Sequence, residues 1–428
     1  MRSSRVVALP VVAFAVALTV GAVPSGGAAQ GLPRARPADV GFDSAALARI
    51  APAMQAYVDS GKLPGIVTAV ARHGKVVYTT SAGYLDADAR TAMRPDVVMR
   101  IYSMTKPIVA VAIMQLVERK KIALDDPVAR FIPAFATTGV YAGGGALAPQ
   151  RRPPDRQITI KDLLMHTAGL TYGVFGNTAV DSIVRAANIY RPDFTIERFA
   201  DSLAQLPLLF SPGTAWNYSL ATDVLGRVIE VASGRRLDHY LDEEIFAPLG
   251  MDETSFHMRP AFEGRLASMH VTTAAGLHHV PRSGPETYDA DARFFSGGGG
   301  LLSTINDYFR FAQMLLNGGE LGKAHILNRQ TVTLMTKNHL APNLVPLPRR
   351  VAGQSGYGWG LGMAVLTDSA AEGVPVGKGV YRWNGAANTY FWVDPSNDII
   401  GMVWTQYFPY GGQKFDVEFQ RLVYQAMR

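Results

Sequence analysis

The chain of 428 residues contains no cysteine. Disulfide bonds, metal sites built on thiolates and a lipid-anchored N-terminal cysteine are therefore excluded. The sequence also lacks blocks of like charge, although its formal net charge is +6. Basic pairs such as Arg151-Arg152 and Arg349-Arg350 are too short for a nucleic-acid footprint. We therefore predict no nucleic-acid partner.

Several motifs of other enzyme classes are also absent. No H-E-x-x-H motif occurs, and His278-His279 lacks further ligands at metal spacing, so we predict no metal site. The glycine run Gly297 to Gly300 is not followed by Gly-Lys-Ser/Thr, and there is no G-x-G-x-x-G. Nucleotide binding therefore has no support, and we predict no cofactor. The absence of G-x-S-x-G argues against the nucleophile elbow of an α/β-hydrolase.

The N-terminus carries the features of an export signal. Arg2 and Arg5 precede a mostly apolar run from Val6 to Val23, and small residues follow it. We predict a secretory signal peptide cleaved near Ala29. An uncleaved anchor is the alternative, because roughly 18 mostly apolar residues are marginal for a membrane span. The mature protein is expected in the periplasm or the medium, without membrane contact.

Strand patterns lie near both ends of the chain. Gly65 to Arg72 and Lys75 to Ser81 flank the turn signal His73-Gly74, which predicts a hairpin. Four further strands are predicted at Gly358 to Leu366, Val380 to Trp383, Thr389 to Val393 and Ile399 to Gln406. A final helix shows an apolar face at Phe415, Phe419, Leu422 and Ala426. We therefore predict one antiparallel sheet formed by both ends of the chain.

Between these strands the chain reads mainly as helices with proline- and glycine-rich connections such as Gly143 to Pro154. One helix is predicted from about Ser103 to Arg119, with Pro107 in its first turn, where the missing N–H matters least. Others are predicted after the capping box Thr159 to Asp162, at Thr195 to Gln205, and at Ser219 to Ser233. The predicted fold class is α/β (α+β): an antiparallel sheet flanked by helices, with an inserted, mainly helical lobe.

The segment Ser103-Met104-Thr105-Lys106 places a hydroxyl and an amine three positions apart where a helix begins. At that spacing the two Cβ atoms lie about 5–6 Å apart on one helix face, so Lys106 could take the proton of Ser103. A lysine in water is protonated at neutral pH, so this role requires desolvation or a nearby cation. The apolar residues that follow favour burial; the alternative is a surface lysine on an ordinary helix.

Three motifs follow one another along the chain: Ser103-Met104-Thr105-Lys106, Tyr218-Ser219-Leu220 and Trp383-Asn384-Gly385. Their order resembles the serine β-lactamase and penicillin-recognising enzyme superfamily, and above all its class-C-like family VIII carboxylesterases. Stretches 163–170 and 296–301 also resemble that branch, and the resemblance covers about Val40 to Gln406. It implies a β-lactamase/transpeptidase-like fold.

The expected organisation is a signal peptide at 1–29 and a single domain at 30–428. Within that domain, an α/β lobe is expected at about 38–105 and 290–428, and a helical lobe at about 106–289.

The resemblance also implies roles for individual residues. Ser103 would be the acylated nucleophile, Lys106 its deprotonating partner, and Tyr218 a proton shuttle that can protonate the leaving alcohol. The N–H groups of Ser103 and Ala386 would form an oxyanion hole. The expected substrate-binding residues next to Ala386 are Trp383, Asn384 and Gly385.

Two departures from β-lactamases bear on the substrate. Leu220 stands where their Tyr-x-Asn motif has an amide, and Trp383 stands where their Lys-Thr-Gly motif has a lysine. Both changes remove groups that recognise anionic lactams, which favours neutral esters. Asn384 is a minor departure from the Trp-Gly-Gly of many esterase relatives. If another cation replaced the missing lysine, Arg382 would be the first candidate.

We therefore predict a serine hydrolase that forms an acyl-enzyme on Ser103, a carboxylesterase on small to medium acyl esters. The alternatives are a β-lactamase or D-amino-acid peptidase, an acyltransferase, and a non-turnover penicillin-binding or sensor module. The expected partner is a small-molecule ester or lactam, and the sequence predicts no particular oligomeric state. His166 is expected to be a structural histidine. Aromatic residues that could line the cleft are Tyr172, Phe175, Tyr357, Trp359 and Tyr390.

Overall fold

Strands from both ends of the chain form one antiparallel sheet, as predicted. The computed structural model describes residues 32–145, 148–191, 193–273, 276–280, 288–289, 292–347 and 356–428, so the predicted signal peptide at 1–29 lies outside them. The strands are β1 (Gly65–Arg72), β2 (Lys75–Asp86), β3 (Thr91–Ala92), β4 (Met99–Arg100), β5 (Val140–Gly145), β6 (Ala148–Arg152), β7 (His270–Thr273), β8 (Gly276–His279), β9 (Leu302–Ser303), β10 (Glu320–Leu321), β11 (Ala324–His325), β12 (Tyr357–Trp359), β13 (Ala364–Leu366), β14 (Tyr381–Gly385), β15 (Thr389–Asp394), β16 (Ile399–Trp404) and β17 (Tyr407–Phe408).

The main sheet has the strand order β12-β13-β14-β15-β16-β1-β2-β3 within the described residues. β1 pairs antiparallel with β16, with Val67 opposite Trp404, so the N-terminal hairpin continues the C-terminal strands. The predicted strand at 358–366 is wrong in one respect, because it is two strands, β12 and β13. Gly362 lies between them with φ 94°, a left-handed conformation that glycine adopts without strain and that reverses the chain.

The helices are α1 (Ser44–Ala48), α2 (Ile50–Asp59), α3 (Thr105–Glu118), α4 (Ile160–Met165), α5 (Ala179–Ala187), α6 (Ile196–Ala204), α7 (Ala221–Ser233), α8 (Leu237–Leu241), α9 (Ala247–Leu249), α10 (Ile305–Leu316), α11 (Arg329–Met335) and α12 (Phe415–Gln425). Their ends follow the predicted signals. Thr159 and Asp162 form the capping box of α4, and α7 ends at Gly234 with φ 72°. Within the described residues, no helix is both long enough and apolar enough to span a membrane.

Helices pack on both faces of the sheet. Tyr308 of α10 contacts Phe391, with ring centroids 5.0 Å apart, and Phe419 of α12 contacts Trp392 at 5.5 Å. Because neighbouring residues of a strand point to opposite faces, α10 and α12 lie on opposite sides of β15. These aromatic contacts confirm the predicted sheet flanked by helices.

The region between the two ends of the sheet also contains strands that were not predicted. β5 and β6 form a hairpin where a glycine-rich connection was expected at 143–154, and that expectation was wrong. β7 and β8 form a second hairpin. Residues of β5 and β6 are mostly exposed and show no apolar alternation, so their pairing depends on backbone hydrogen bonds rather than on a buried face.

Candidate active site

Ser103 lies in a short 3₁₀ turn, Tyr102–Met104, directly before α3. Tyr102 has φ 42°, which is uncommon for a side chain of this size and costs about 1–3 kcal/mol. Met104 N–H donates a hydrogen bond to Ile101 O at 3.0 Å, which closes the turn. The turn presents the partly exposed Ser103 beside the first residues of the buried helix.

The structure brings Ser103 and Lys106 together. Lys106 is fully buried, and its Nζ donates a hydrogen bond to Ser103 Oγ at 3.2 Å. Almost all of α3 around it is buried, as expected for a helix that is apolar on every side. The amine is therefore desolvated, which is one of the two conditions under which Lys106 was expected to act as a base.

Two further acceptors complete the surroundings of the amine. Lys106 Nζ donates to Gly298 O at 2.6 Å and to Tyr172 Oη at 2.8 Å. Three acceptors match the three protons of an ammonium group, which offsets the cost of burying it. Sequence reasoning missed both partners of Lys106. The glycine run and Tyr172 had each been noticed, but nothing local connects them to α3.

The ring of Tyr218 also lies close to the Lys106 amine. Lys106 Nζ is 4.9 Å from the centroid of the Tyr218 ring, and Tyr218 is 8% exposed. Its buried hydroxyl has no hydrogen-bond partner among the described residues. The ring is held by packing, with centroids 4.9 Å from His166 and 5.3 Å from Trp383. A buried hydroxyl without a partner is costly, so it is available to a reacting group that enters the site.

The C-terminal end of β14 passes directly against the nucleophile turn. A Cβ at Gly385 would lie 2.3 Å from Ile101 O, so only glycine allows this approach. Thr389 Oγ1 donates to the same carbonyl oxygen at 3.4 Å. Ala386, the next residue along the chain, lines the same cavity as Ser103. The predicted oxyanion donors, Ser103 and Ala386, therefore lie on neighbouring segments.

Trp383 is buried behind Tyr218 and is not among the cavity-lining residues. Its ring centroid lies 4.5 Å from that of Trp359, so it supports the aromatic layer that holds Tyr218. Asn384 is also buried, and its Nδ2 has no partner among the described residues.

Arg382 is not available to a substrate. Its side chain is buried and lies 3.8 Å from Asp416 in an ion pair, with its guanidinium 5.6 Å from the Tyr357 ring centroid. Burial would lower the pKa of Arg382, but Tyr357, Glu372 and Asp416 raise it above its ordinary value. From the sequence, Arg382 was the first candidate to replace the missing lysine. In the structure its guanidinium is paired with Asp416 instead.

A cavity of about 410 Å³ opens at Ser103. Most of its wall is aromatic or aliphatic: Tyr102, Tyr172, Val174, Phe175, Val184, Ile189, Tyr190, Tyr218 and Leu220. Val174 and Phe175 are 66% and 50% exposed at its rim. Among the aromatics considered from the sequence, Tyr172 and Phe175 line the cavity, whereas Tyr357, Trp359 and Tyr390 are buried in the core.

His166 is buried at the end of α4 and contacts the Tyr218 ring. Its Nδ1 lies 3.1 Å from Ser219 Oγ. Burial, and then the nearby charge of Lys106, hold the pKa of His166 well below its usual value. A neutral, hydrogen-bonded ring fits the structural role expected for this histidine. Within the described residues there is no cluster of three acidic, histidine or cysteine side chains that could hold a metal ion.

Residues 50–425 match the Beta-lactamase family. Protein Rv1367c of Mycobacterium tuberculosis is 34% identical over 82% of this chain and 88% of its own length. Esterase EstB of Burkholderia gladioli is 32% identical over 84% of this chain and 90% of its own. Among solved structures, EstCE1, a hydrolase with promiscuous acyltransferase activity, has a TM-score of 0.78 at 28% identity and covers 89% of this chain and 99% of its own. The chain therefore belongs to the Beta-lactamase family and is a serine hydrolase with the β-lactamase/transpeptidase fold.

Proposed function

We propose that the protein is a carboxylesterase that forms an acyl-enzyme on Ser103. The observation that carries this proposal is the buried Lys106 amine, 3.2 Å from Ser103 Oγ. In its neutral form the amine accepts the Ser103 proton while Oγ forms a bond to the ester carbonyl carbon. The N–H groups of Ser103 and Ala386 would stabilise the negative charge that develops on the carbonyl oxygen.

Tyr218 is proposed to complete the proton transfers. Its unpartnered hydroxyl, close to Lys106, can pass the proton to the leaving alcohol as the ester C–O bond breaks. Water then attacks the acyl-enzyme, gives up a proton along the same route, and releases the acid with Ser103 restored. No metal or cofactor takes part in these steps.

The cavity supports an ester rather than a lactam as substrate. Leu220 is a cavity-lining residue in place of an amide, and Arg382 is engaged with Asp416. The apolar lining suits an alkyl or aryl group of small to medium size next to the scissile carbonyl. The identity of 32% to Esterase EstB, over most of both chains, supports the same assignment.

Acyl transfer is the second candidate. EstCE1, which covers 89% of this chain, is a hydrolase with promiscuous acyltransferase activity. The mostly apolar cavity would favour an alcohol over water as the acceptor of the acyl group on Ser103. Adding increasing amounts of an acceptor alcohol and measuring the ratio of new ester to acid tests this candidate.

The direct test of the proposed function is a panel of p-nitrophenyl esters beside a chromogenic cephalosporin. We expect ester turnover that Ser103→Ala abolishes without lowering the melting temperature, because the change removes the nucleophile and little volume. Lys106→Ala should reduce kcat by at least about 10²-fold, the lower range for lost general-base assistance. Near-wild-type rates for Ser103→Ala would refute the mechanism. A single stoichiometric burst without turnover would instead favour the penicillin-binding or sensor alternative.

Export is part of the same proposal. A mature chain starting near Gln30 would deliver the enzyme to the periplasm or the medium, where a small-molecule ester is its substrate. Intact-mass measurement of the exported protein should give a chain that lacks residues 1–29. An exported chain that retains Met1 would favour the uncleaved anchor.

A further inference from the structure

Asp223 is a fully buried carboxylate next to the active site that the proposed mechanism does not use. It lies in the first turn of α7, five residues after Tyr218 in the chain. Its Oδ1 accepts hydrogen bonds from Ser296 Oγ at 2.6 Å and from Gly298 N–H at 3.0 Å. Oδ2 has no hydrogen-bond partner among the described residues. A buried carboxylate with a free oxygen is costly, so it calls for a functional explanation.

Gly298 connects this carboxylate to the catalytic amine. Its N–H donates to Asp223, and its carbonyl oxygen accepts the 2.6 Å hydrogen bond from Lys106. A Cβ at residue 298 would lie 2.3 Å from Asp223 Oδ2, so the glycine is what allows the loop to run against α7. Both polar groups of the Gly298 backbone are thus fixed, one by Asp223 and the other by Lys106.

The pKa of Asp223 depends in part on the charge of Lys106. Burial raises the pKa of the Asp223 carboxyl, and the charge of Lys106 and the bonds from Ser296 and Gly298 oppose that rise. The N-terminal end of α7 also favours the ionised form. An ionised Asp223 and a protonated Lys106 would carry opposite charges on the two sides of the Gly298 backbone.

Within the part of the chain that the structure describes, the other side chains around the Lys106 amine do not supply a negative charge. Those that contact or face Lys106 are Ser103, His166, Tyr172 and Tyr218. Histidine, serine and tyrosine side chains carry no negative charge near neutral pH. On α7 itself, Arg227 and Glu230 pair with each other at 3.2 Å. Tyr190 donates a hydrogen bond to Ser296 Oγ at 2.5 Å, and Ser296 in turn donates to Asp223.

We infer that Asp223 is a positioning residue whose buried negative charge holds Gly298 against Lys106 and stabilises the ammonium formed when Lys106 takes the Ser103 proton. The inference rests on the proposed function of the Ser103 and Lys106 pair. Without the carboxylate, the ammonium formed when Lys106 accepts the proton would lack this nearby opposite charge. Asp223 touches neither the substrate nor the reacting atoms, and it acts through Lys106.

The test is the pH profile of kcat/KM for p-nitrophenyl butyrate in Asp223→Asn, which keeps the shape of the side chain and removes its charge. We expect the acid limb of the profile to move to lower pH by about 1 unit, because the protonated form of Lys106 loses its counter-charge. The plateau value of kcat/KM should fall as well. A merely structural role would lower the plateau without moving the acid limb.

Asp307→Asn is the matched control. Asp307 is also buried in the first turn of a helix, but it faces Thr254 and the Glu253 backbone instead of Lys106. The acid limb of the kcat/KM profile of Asp307→Asn should coincide with that of the wild type. A shift of the same size in this control would overturn the inference, because it would show a general effect of removing a buried carboxylate.

Asp223→Ser provides a second neutral variant, which leaves room for water, and should show the same shift. Failure of both Asp223 variants to fold would assign the residue to stability and overturn the inference. If Ser103→Ala retained activity, or no acyl-enzyme formed on Ser103, the proposed function itself would fail. An unshifted acid limb in folded, Ser103-dependent variants would overturn the inference about Asp223 alone.

Discussion

Lys106 Nζ lies closer to Tyr172 Oη, at 2.8 Å, than to Ser103 Oγ, at 3.2 Å. The site therefore contains two tyrosines around one amine. Tyr172 accepts a hydrogen bond from Lys106, whereas the Tyr218 hydroxyl has no partner among the described residues. From these different surroundings we expect different roles: Tyr172 would orient the amine, and the Tyr218 hydroxyl would hydrogen-bond to the substrate.

Substituting each tyrosine by phenylalanine should separate these roles. Tyr172→Phe removes one of three acceptors of the amine, so we expect kcat to fall by about tenfold, the value of one hydrogen bond. Tyr218→Phe should lower kcat by about 10²-fold or more, because it removes a proton shuttle. The melting temperature of Tyr218→Phe should not fall, since its hydroxyl makes no hydrogen bond to any residue that the structure describes. Equal kinetic losses in the two variants would contradict this division of roles.

Ester hydrolysis should exceed hydrolysis of a chromogenic cephalosporin by orders of magnitude. A charge-assisted hydrogen bond contributes about 1.5–3 kcal/mol, so the missing lysine alone should cost a lactam roughly ten- to a hundredfold. Arg382 cannot replace that lysine, because it is buried against Asp416. The measurement is kcat/KM for p-nitrophenyl butyrate and for the cephalosporin. A cephalosporin that proves the better substrate would require the esterase assignment to be withdrawn.

The apolar rim of the cavity should contact the acyl chain of medium-length esters. Val174 is 66% exposed at the rim, and Val231, on α7, is 40% exposed but does not line the cavity. Val174→Ser should lower kcat/KM for p-nitrophenyl octanoate by about three- to tenfold, the loss expected for part of one aliphatic contact. It should leave the acetate ester unaffected. The matched variant Val231→Ser should change neither substrate, and an equal loss in both variants would point to a general surface effect.

Asp162 should stabilise the fold in a pH-dependent manner. It accepts hydrogen bonds from Arg156 Nη2 at 2.8 Å and from Thr159 N–H at 2.9 Å. Burial alone would raise the pKa of Asp162, but Arg156 and Thr159 lower it below its ordinary value. We expect Asp162→Asn to lower the free energy of unfolding by about 2 kcal/mol near neutral pH.

The sign of the pH dependence follows from the lowered pKa. The stabilisation by Asp162 is fully present above the pKa of an unfolded aspartate, about 3.9, and is lost as pH falls through the lower pKa of the folded state. Urea unfolding at about pH 7 and about pH 3 should therefore show a smaller difference between wild type and variant in acid. Asp155→Asn is the control, since its carboxylate is 71% exposed and pairs loosely with Arg152 at 3.3 Å. A difference that grows in acid would contradict the prediction.

The sequence by itself determined those features that local chemistry decides. The apolar, β-branched strands at 65–81 and 389–406, the capping box at Thr159 and the stop at Gly234 each depend on residues that are close together in the chain. The spacing of Ser103 and Lys106 belongs to the same class, because one helical turn brings them together. The order of the three motifs was enough to indicate the family.

Only the tertiary structure decided what surrounds the amine. Tyr172 lies 66 residues from Lys106 in the chain, and Gly298 lies 192 residues away. Asp223 reaches the site through that same glycine, and Trp383 lies behind Tyr218 instead of in the cavity wall. The hairpin β5–β6 likewise depends on backbone pairing that leaves no apolar pattern. Contacts between distant segments arise from how whole helices and strands pack, and the periodicity of one segment carries no information about its partner.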